Sequence, residues 1–131
     1  MEKEFVKYTE ALDLKELGFD EPCLGFYQRG DFLKIKVLRI NLFPRIDDSC
    51  LAPTYSQAFR FFREKYGLKG EVDTADMIWS KWSFKIELKG STYILYSGLI
   101  EKIYFNSHEE AELACLKKLI EIVKEKLGIV K

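Results

Sequence analysis

The most regular alternation in the chain runs through residues 81–89, where Trp82, Phe84, Ile86 and Leu88 interleave with Lys81, Ser83, Lys85 and Glu87. A period of two predicts a strand with one buried face and one wet face. Lys89, Gly90 and Ser91 read as a turn into a second apolar run, and Gly98 leads into a third, 99–105. Residues 78–105 are therefore expected to form a three-stranded antiparallel meander. Two earlier strand-like runs in 23–40 break at Arg29, Gly30 and Asp31, a hairpin signal because glycine supplies the positive dihedral of a tight turn. The second of these runs alternates as far as Val37 and then slips by one, which predicts a bulge near Leu38. The segment 41–53, with Pro44 and Pro53, reads as a loop, and the polar stretch 68–76 reads as a connection.

Elsewhere the period changes to 3.6. A short first helix is expected with Thr9 as N-cap, Ala11, Leu12 and Leu17 as its apolar positions, Gly18 as a left-handed C-cap and Pro22 as a stop. The stretch TYSQAFRFFREKYG, 54–67, opens with a Thr54/Gln57 capping box and ends at Gly67. Tyr55, Ala58, Phe59, Phe62 and Tyr66 fall within about 100° on one face, and Phe61 lies roughly 120° from its centre. The last helix is expected from His108 to Leu127, with Ser107 and Glu110 as a second capping box and Gly128 as the stop. Its apolar arc spans about 200°, more than the ~100° that one sheet covers. Either the aromatic helix or a partner chain would cover the excess. The fold class expected is thus α+β: an antiparallel sheet, hairpin plus three-stranded meander, packed by a central aromatic helix and a long C-terminal helix.

At 131 residues, 47% of them apolar, the chain fits one domain, 1–131, with a core of its own. Its 21 basic and 21 acidic residues cancel, so no global field draws it to nucleic acid or anionic lipid. The charges are nevertheless segregated. Residues 1–21 carry seven acids and three lysines, whereas 29–69 carry nine bases and four acids. Complementary segments within the fold or a dimer would explain this, as would a basic face for a polyanion. Three cysteines without CxxC spacing point to reduced thiols in a cytosolic compartment. No apolar run approaches the ~20 residues needed to cross a bilayer, so neither membrane insertion nor secretion is expected.

The chemistry-bearing residues are sparse. The single imidazole, His108, sits beside a helix cap, where a surface role outweighs a catalytic one. There is no P-loop, no dinucleotide fingerprint, no zinc spacing, and Asp47–Asp48 is too little for a cation. No catalytic residue, cofactor or metal is expected. A ligand or partner surface could be built from Arg29, Lys34, Lys36, Arg60, Phe61 and Arg63, with Tyr27, Trp79, Tyr93 and Tyr96 as further rings. Rings flanked by cations form the platform that binds single strands, and cations beside rings also hold nucleotides. The same aromatics equally serve a small core.

Three stretches, 11–23 (ALDLKELGFDEPC), 52–68 (APTYSQAFRFFREKYGL) and 105–126 (FNSHEEAELACLKKLIEIVKEK), occur in this order. Together they resemble a group of small uncharacterised proteins encoded by phages, prophages and mobile elements of Bacteroidetes, and they span about half of the chain. This sequence departs from that pattern in having Phe61 where a tryptophan is expected and His108 where a tyrosine is commoner. The resemblance implies a phage or prophage accessory protein and carries no catalytic residues over. The expectation is a non-enzymatic interaction module acting in the cytoplasm of a bacterial host, with a host or phage protein as partner and a homodimer through the C-terminal helix. A small-ligand or nucleotide binder and a single-strand nucleic-acid binder are the alternatives.

Overall fold

The computed structural model describes residues 4–28, 32–35, 49–76, 81–91 and 93–128. Its elements follow the order α1 (Tyr8–Glu16), β1 (Gly25–Gln28), β2 (Phe32–Ile35), β3 (Ser49–Ala52), α2 (Tyr55–Lys65), β4 (Leu68–Asp76), β5 (Lys81–Leu88), β6 (Ile94–Ser97), α3 (Gly98–Glu101) and α4 (His108–Leu127). The class is α+β, as the mixed periodicities require. The chain divides into two compact units, Met1–Ala58 and Phe59–Lys131.

In the first unit, β1 is central between β2 and β3, both antiparallel to it. The hairpin is as expected, Gly25 pairing with Ile35 and Gln28 with Phe32; its turn and the bulge expected near Leu38 lie outside the described residues. The stretch read as a loop is corrected at 49–52, which pairs with β1 as β3. Helix α1 packs on β3 and buries Ala11 and Leu14, while Leu12 is exposed. Its N-cap is Lys7 without a side-chain cap, and the Thr9 hydroxyl donates to Glu10 instead. Gly18 does supply the positive φ after the last turn. Within β1, the Tyr27 hydroxyl donates to the Val6 carbonyl at 2.6 Å. Tyr27 is thus a core residue with its polar end satisfied.

Helix α2 begins at the expected reciprocal box: the Thr54 amide donates to Gln57 Oε1 at 3.1 Å and the Gln57 amide to Thr54 Oγ1 at 3.3 Å. Its buried positions are Tyr55, Ala58, Phe61 and Phe62, with Phe59 and Tyr66 half-buried. The apolar face is therefore rotated by roughly 50° from the one the aromatic spacing predicts, and Phe61 belongs to the interior.

In the second unit, β5 lies between β4 and β6 and α4 lies across β4 and β5. The meander exists, shifted one strand toward the N-terminus. The polar connection is β4, and the third run becomes α3. Along β4 and β5 the cross-strand partners Glu71↔Lys85 and Lys69↔Glu87 are of opposite sign, and Lys69 and Lys85 bridge Glu71 at 2.8 and 3.6 Å. The hydrogen bond from Lys69 holds the Glu71 carboxyl below its ordinary range. The other side faces α4, where Phe84 and Ile86 are buried.

Gly70 lies at a close approach of helix and sheet. A Cβ there would stand 2.9 Å from Cys115 Sγ and 3.1 Å from Leu119 Cδ1. Gly70→Ala should therefore destabilise by about 1–3 kcal/mol, and Cys115→Ala should recover part of the loss in a double-mutant cycle by urea unfolding. Additive effects would show that the approach is looser than drawn.

Helix α4 has the expected bounds. Ser107 accepts from the Glu110 amide at 3.1 Å, and Gly128 closes it with φ 77°. Most of its wide apolar arc is covered, Ala111, Cys115, Leu116, Leu119, Ile120 and Val123 being buried and Leu113 and Ile122 half-buried, while Leu127 is exposed. Burial pushes the Cys115 thiol up, and the Cys23 thiol up to about 12, so both stay protonated at neutral pH. Among the described residues no helix is long and apolar enough to cross a membrane.

Candidate functional site

The expected ligand residues are only partly among the described residues. Arg29 and Lys36 lie outside them, and Lys34 is placed only through its backbone, opposite Phe26 in the hairpin. Arg60 is exposed and Arg63 half-buried on successive turns of α2. Phe61, the ring expected to stand beside them, is 5% exposed and packs edge-on against Phe62 and Tyr66 at 5.5 and 5.7 Å. The Lys65 ammonium sits 5.5 Å from the Phe61 ring centre, so a cation of this helix rests on a ring of the same helix. Of the other candidate rings, Tyr27 is buried and Trp79 lies outside the described residues. Tyr96 stacks on Phe84 at 5.0 Å with Lys118 over its ring. Of the three described, Tyr93 alone is exposed. His108 makes an edge contact with Trp82 at 5.1 Å.

A feature not foreseen from the sequence lies along the side of β5 opposite β4. Strand β6 pairs there through Glu87↔Ile94, Ile86↔Tyr96 and Lys85↔Ser97, with a bulge between the first two pairs. The chain then leaves the sheet and rejoins the same side of β5 at the isolated bridge Trp82↔Phe105. Two residues of β5, Ser83 and Phe84, face this gap, whereas residues 98–104 fill it on the other side. The surplus is wound into α3 and a left-handed turn at Lys102, φ 57°.

Local chemistry dictates the detour. Ser97 caps α3 by accepting from the Ile100 amide at 3.4 Å. The Ile103 amide closes the turn onto the Gly98 carbonyl at 2.8 Å, and the buried Ser83 hydroxyl donates to the Ile103 carbonyl at 3.0 Å. Gly98 is needed for space, since a Cβ would come within 2.0 Å of Ser83 Oγ and 3.2 Å of the Phe84 and Ile103 carbonyls. Phe105 then returns to Trp82 through two backbone hydrogen bonds of 2.9 and 2.8 Å. Lys102, a non-glycine residue at positive φ, stores a modest strain that the surrounding bonds hold in place.

The detour presents large apolar side chains to water beside the exposed Glu101 and Lys102. Leu99, Ile100, Ile103 and Tyr104 are exposed on it, Ile100 at 73%, and Tyr93, Ile94 and Leu95 are exposed just before it. Of the eleven large apolar residues exposed among those described, seven lie in 93–104. Such a concentration marks an interaction surface far more often than single exposed leucines do. Its one signal in the sequence is the run of eleven residues without a charge, 90–100. An equally long uncharged run, 49–59, is largely interior, with Cys50, Ala52, Tyr55 and Ala58 buried. Lack of charge therefore does not by itself tell surface from core.

Among the described residues no group of three or more His, Cys, Asp or Glu side chains is placed to hold a metal ion. No family model, no curated protein and no solved structure matches this chain.

Proposed function

We propose that the protein is a non-enzymatic protein-interaction module and that residues 93–104 are its contact surface. The observation that carries this reading is a helical detour fixed by internal hydrogen bonds which nevertheless turns four large apolar side chains outward. A rigid knob loses little conformational entropy on docking, so its apolar area converts efficiently into affinity. The resemblance of the stretches 11–23, 52–68 and 105–126 to phage- and prophage-encoded proteins of Bacteroidetes supports an accessory role inside a bacterial host. The basic residues Arg60 and Arg63 then contribute solvation rather than a polyanion site, and Lys69 and Lys85 are already matched by Glu71 and Glu87.

The test compares immobilised wild-type chain with Ile100→Asp as bait in a lysate of the bacterial host, or with a second, differently tagged copy of the chain. A charge at the most exposed apolar position should abolish capture, because burying an unpaired carboxylate costs several kcal/mol. Equal capture by both baits would remove 93–104 as the contact surface.

A further inference from the structure

We infer that the occupant of the 93–104 surface is a second copy of this chain, packed about a two-fold axis through the exposed side chains of that segment. This rests on the reading of 93–104 as a protein-interaction surface.

Area is the first argument. With roughly 200 Å² for each such side chain when fully exposed, the seven residues leave about 700 Å² in contact with water. Summed over the segment, that is close to the ~800 Å² that each partner brings to a standard interface.

Charge is the second. A two-fold axis sets a segment against itself, so any charge near the axis meets its own like. Residues 90–100 contain none; Lys89 precedes them, and Glu101 and Lys102, which follow, are opposite in sign and can be matched across the axis. Leu, Ile and Tyr without charged residues is also the composition of homodimer interface centres, whereas transient partners meet on more polar ground. A net charge of zero opposes self-association least.

The mode of contact follows from the strand. β6 is four residues long, is bulged at Leu95 and ends in α3, so it offers little edge for pairing with another strand. The contact is made by side chains, with Leu99 and Ile100 of α3 at its centre.

Light scattering after size exclusion at micromolar concentration tests this. The wild-type chain should have twice the 15.4 kDa mass of one chain. Leu99→Asp and Ile100→Asp should each return it to the single-chain mass with unchanged far-UV circular dichroism, and Leu127→Asp, at an exposed leucine outside the segment, should leave the dimer intact. If an aspartate variant fails to fold, Ile100→Ser provides the same comparison with a smaller perturbation. A monomeric wild-type chain would overturn self-pairing, including one that captures a lysate protein through Ile100; in that case the interaction-module reading survives and the partner is a different protein. A dimer insensitive to both aspartates would also overturn the inference.

Discussion

Phe61→Ala should cost about 3–5 kcal/mol of stability, and Phe59→Ala no more than about half of that. The two rings sit two positions apart on α2, yet Phe61 is buried at 5% exposure and Phe59 is half-buried. A helical wheel drawn through Tyr55, Phe59, Phe62 and Tyr66 makes the opposite prediction, so the pair decides between two faces of one helix. Removing the Phe61 ring also removes its edge-on contacts with Phe62 and Tyr66 and its contact with the Lys65 ammonium. Urea unfolding of the two variants measures both losses under the same conditions. If Phe59→Ala proves the costlier, α2 is rotated toward the sequence-based face and Phe61 returns as a candidate surface ring beside Arg60.

The second large effect is expected at Gly98. Helix propensity alone favours Gly98→Ala by up to ~1 kcal/mol. Space decides otherwise, because the new Cβ would fall 2.0 Å from Ser83 Oγ and 3.2 Å from two carbonyl oxygens. Rotating the serine away breaks its hydrogen bond to Ile103 and still leaves the carbonyls in contact. A net loss of about 2–3 kcal/mol follows from overpacking combined with a broken buried hydrogen bond. Ser83→Ala removes the nearest atom, so the double variant should regain much of that loss, a coupling that a thermodynamic cycle reads directly. A neutral or stabilising Gly98→Ala would mean that 98–104 is an ordinary turn and that the detour is not held as described.

These two residues also mark how far the sequence could be read. Helix ends were legible because they are local: Thr54 with Gln57, Ser107 with Glu110, and Gly18, Gly67 and Gly128 each act on groups within a few residues of themselves. Strand β4 was missed because Leu68, Gly70, Val72 and the exposed Thr74, which share one face, include only two aliphatic side chains. The glycine among them answers to Cys115 and Leu119, some 45 residues away in the chain. Nothing near Gly70 in sequence records that demand.

The candidate surface was hidden for a different reason. Leu99, Ile100, Ile103, Tyr104 and Phe105 have the composition of a strand, and only the Ser97 cap, the close approach at Gly98 and the Ser83 hydroxyl bend them into a helical turn. Exposure of apolar residues is moreover a property of what fails to cover them, and composition is silent on this. The same limit affected the C-terminal helix. Its wide apolar arc called for a second cover, the aromatic helix or a partner chain, and spacing alone did not choose between them; most of the arc is buried, and Leu127 is exposed.

Hydroxyl-radical footprinting of dilute and concentrated protein tests the central claim most directly, since it reads the water exposure of individual side chains. Tyr93, Leu99, Ile100 and Tyr104 should be oxidised rapidly in dilute solution and protected together as concentration rises, while Leu127 at the end of α4 stays unchanged. Protection confined to α4, or no protection of 93–104 at any concentration, would contradict it.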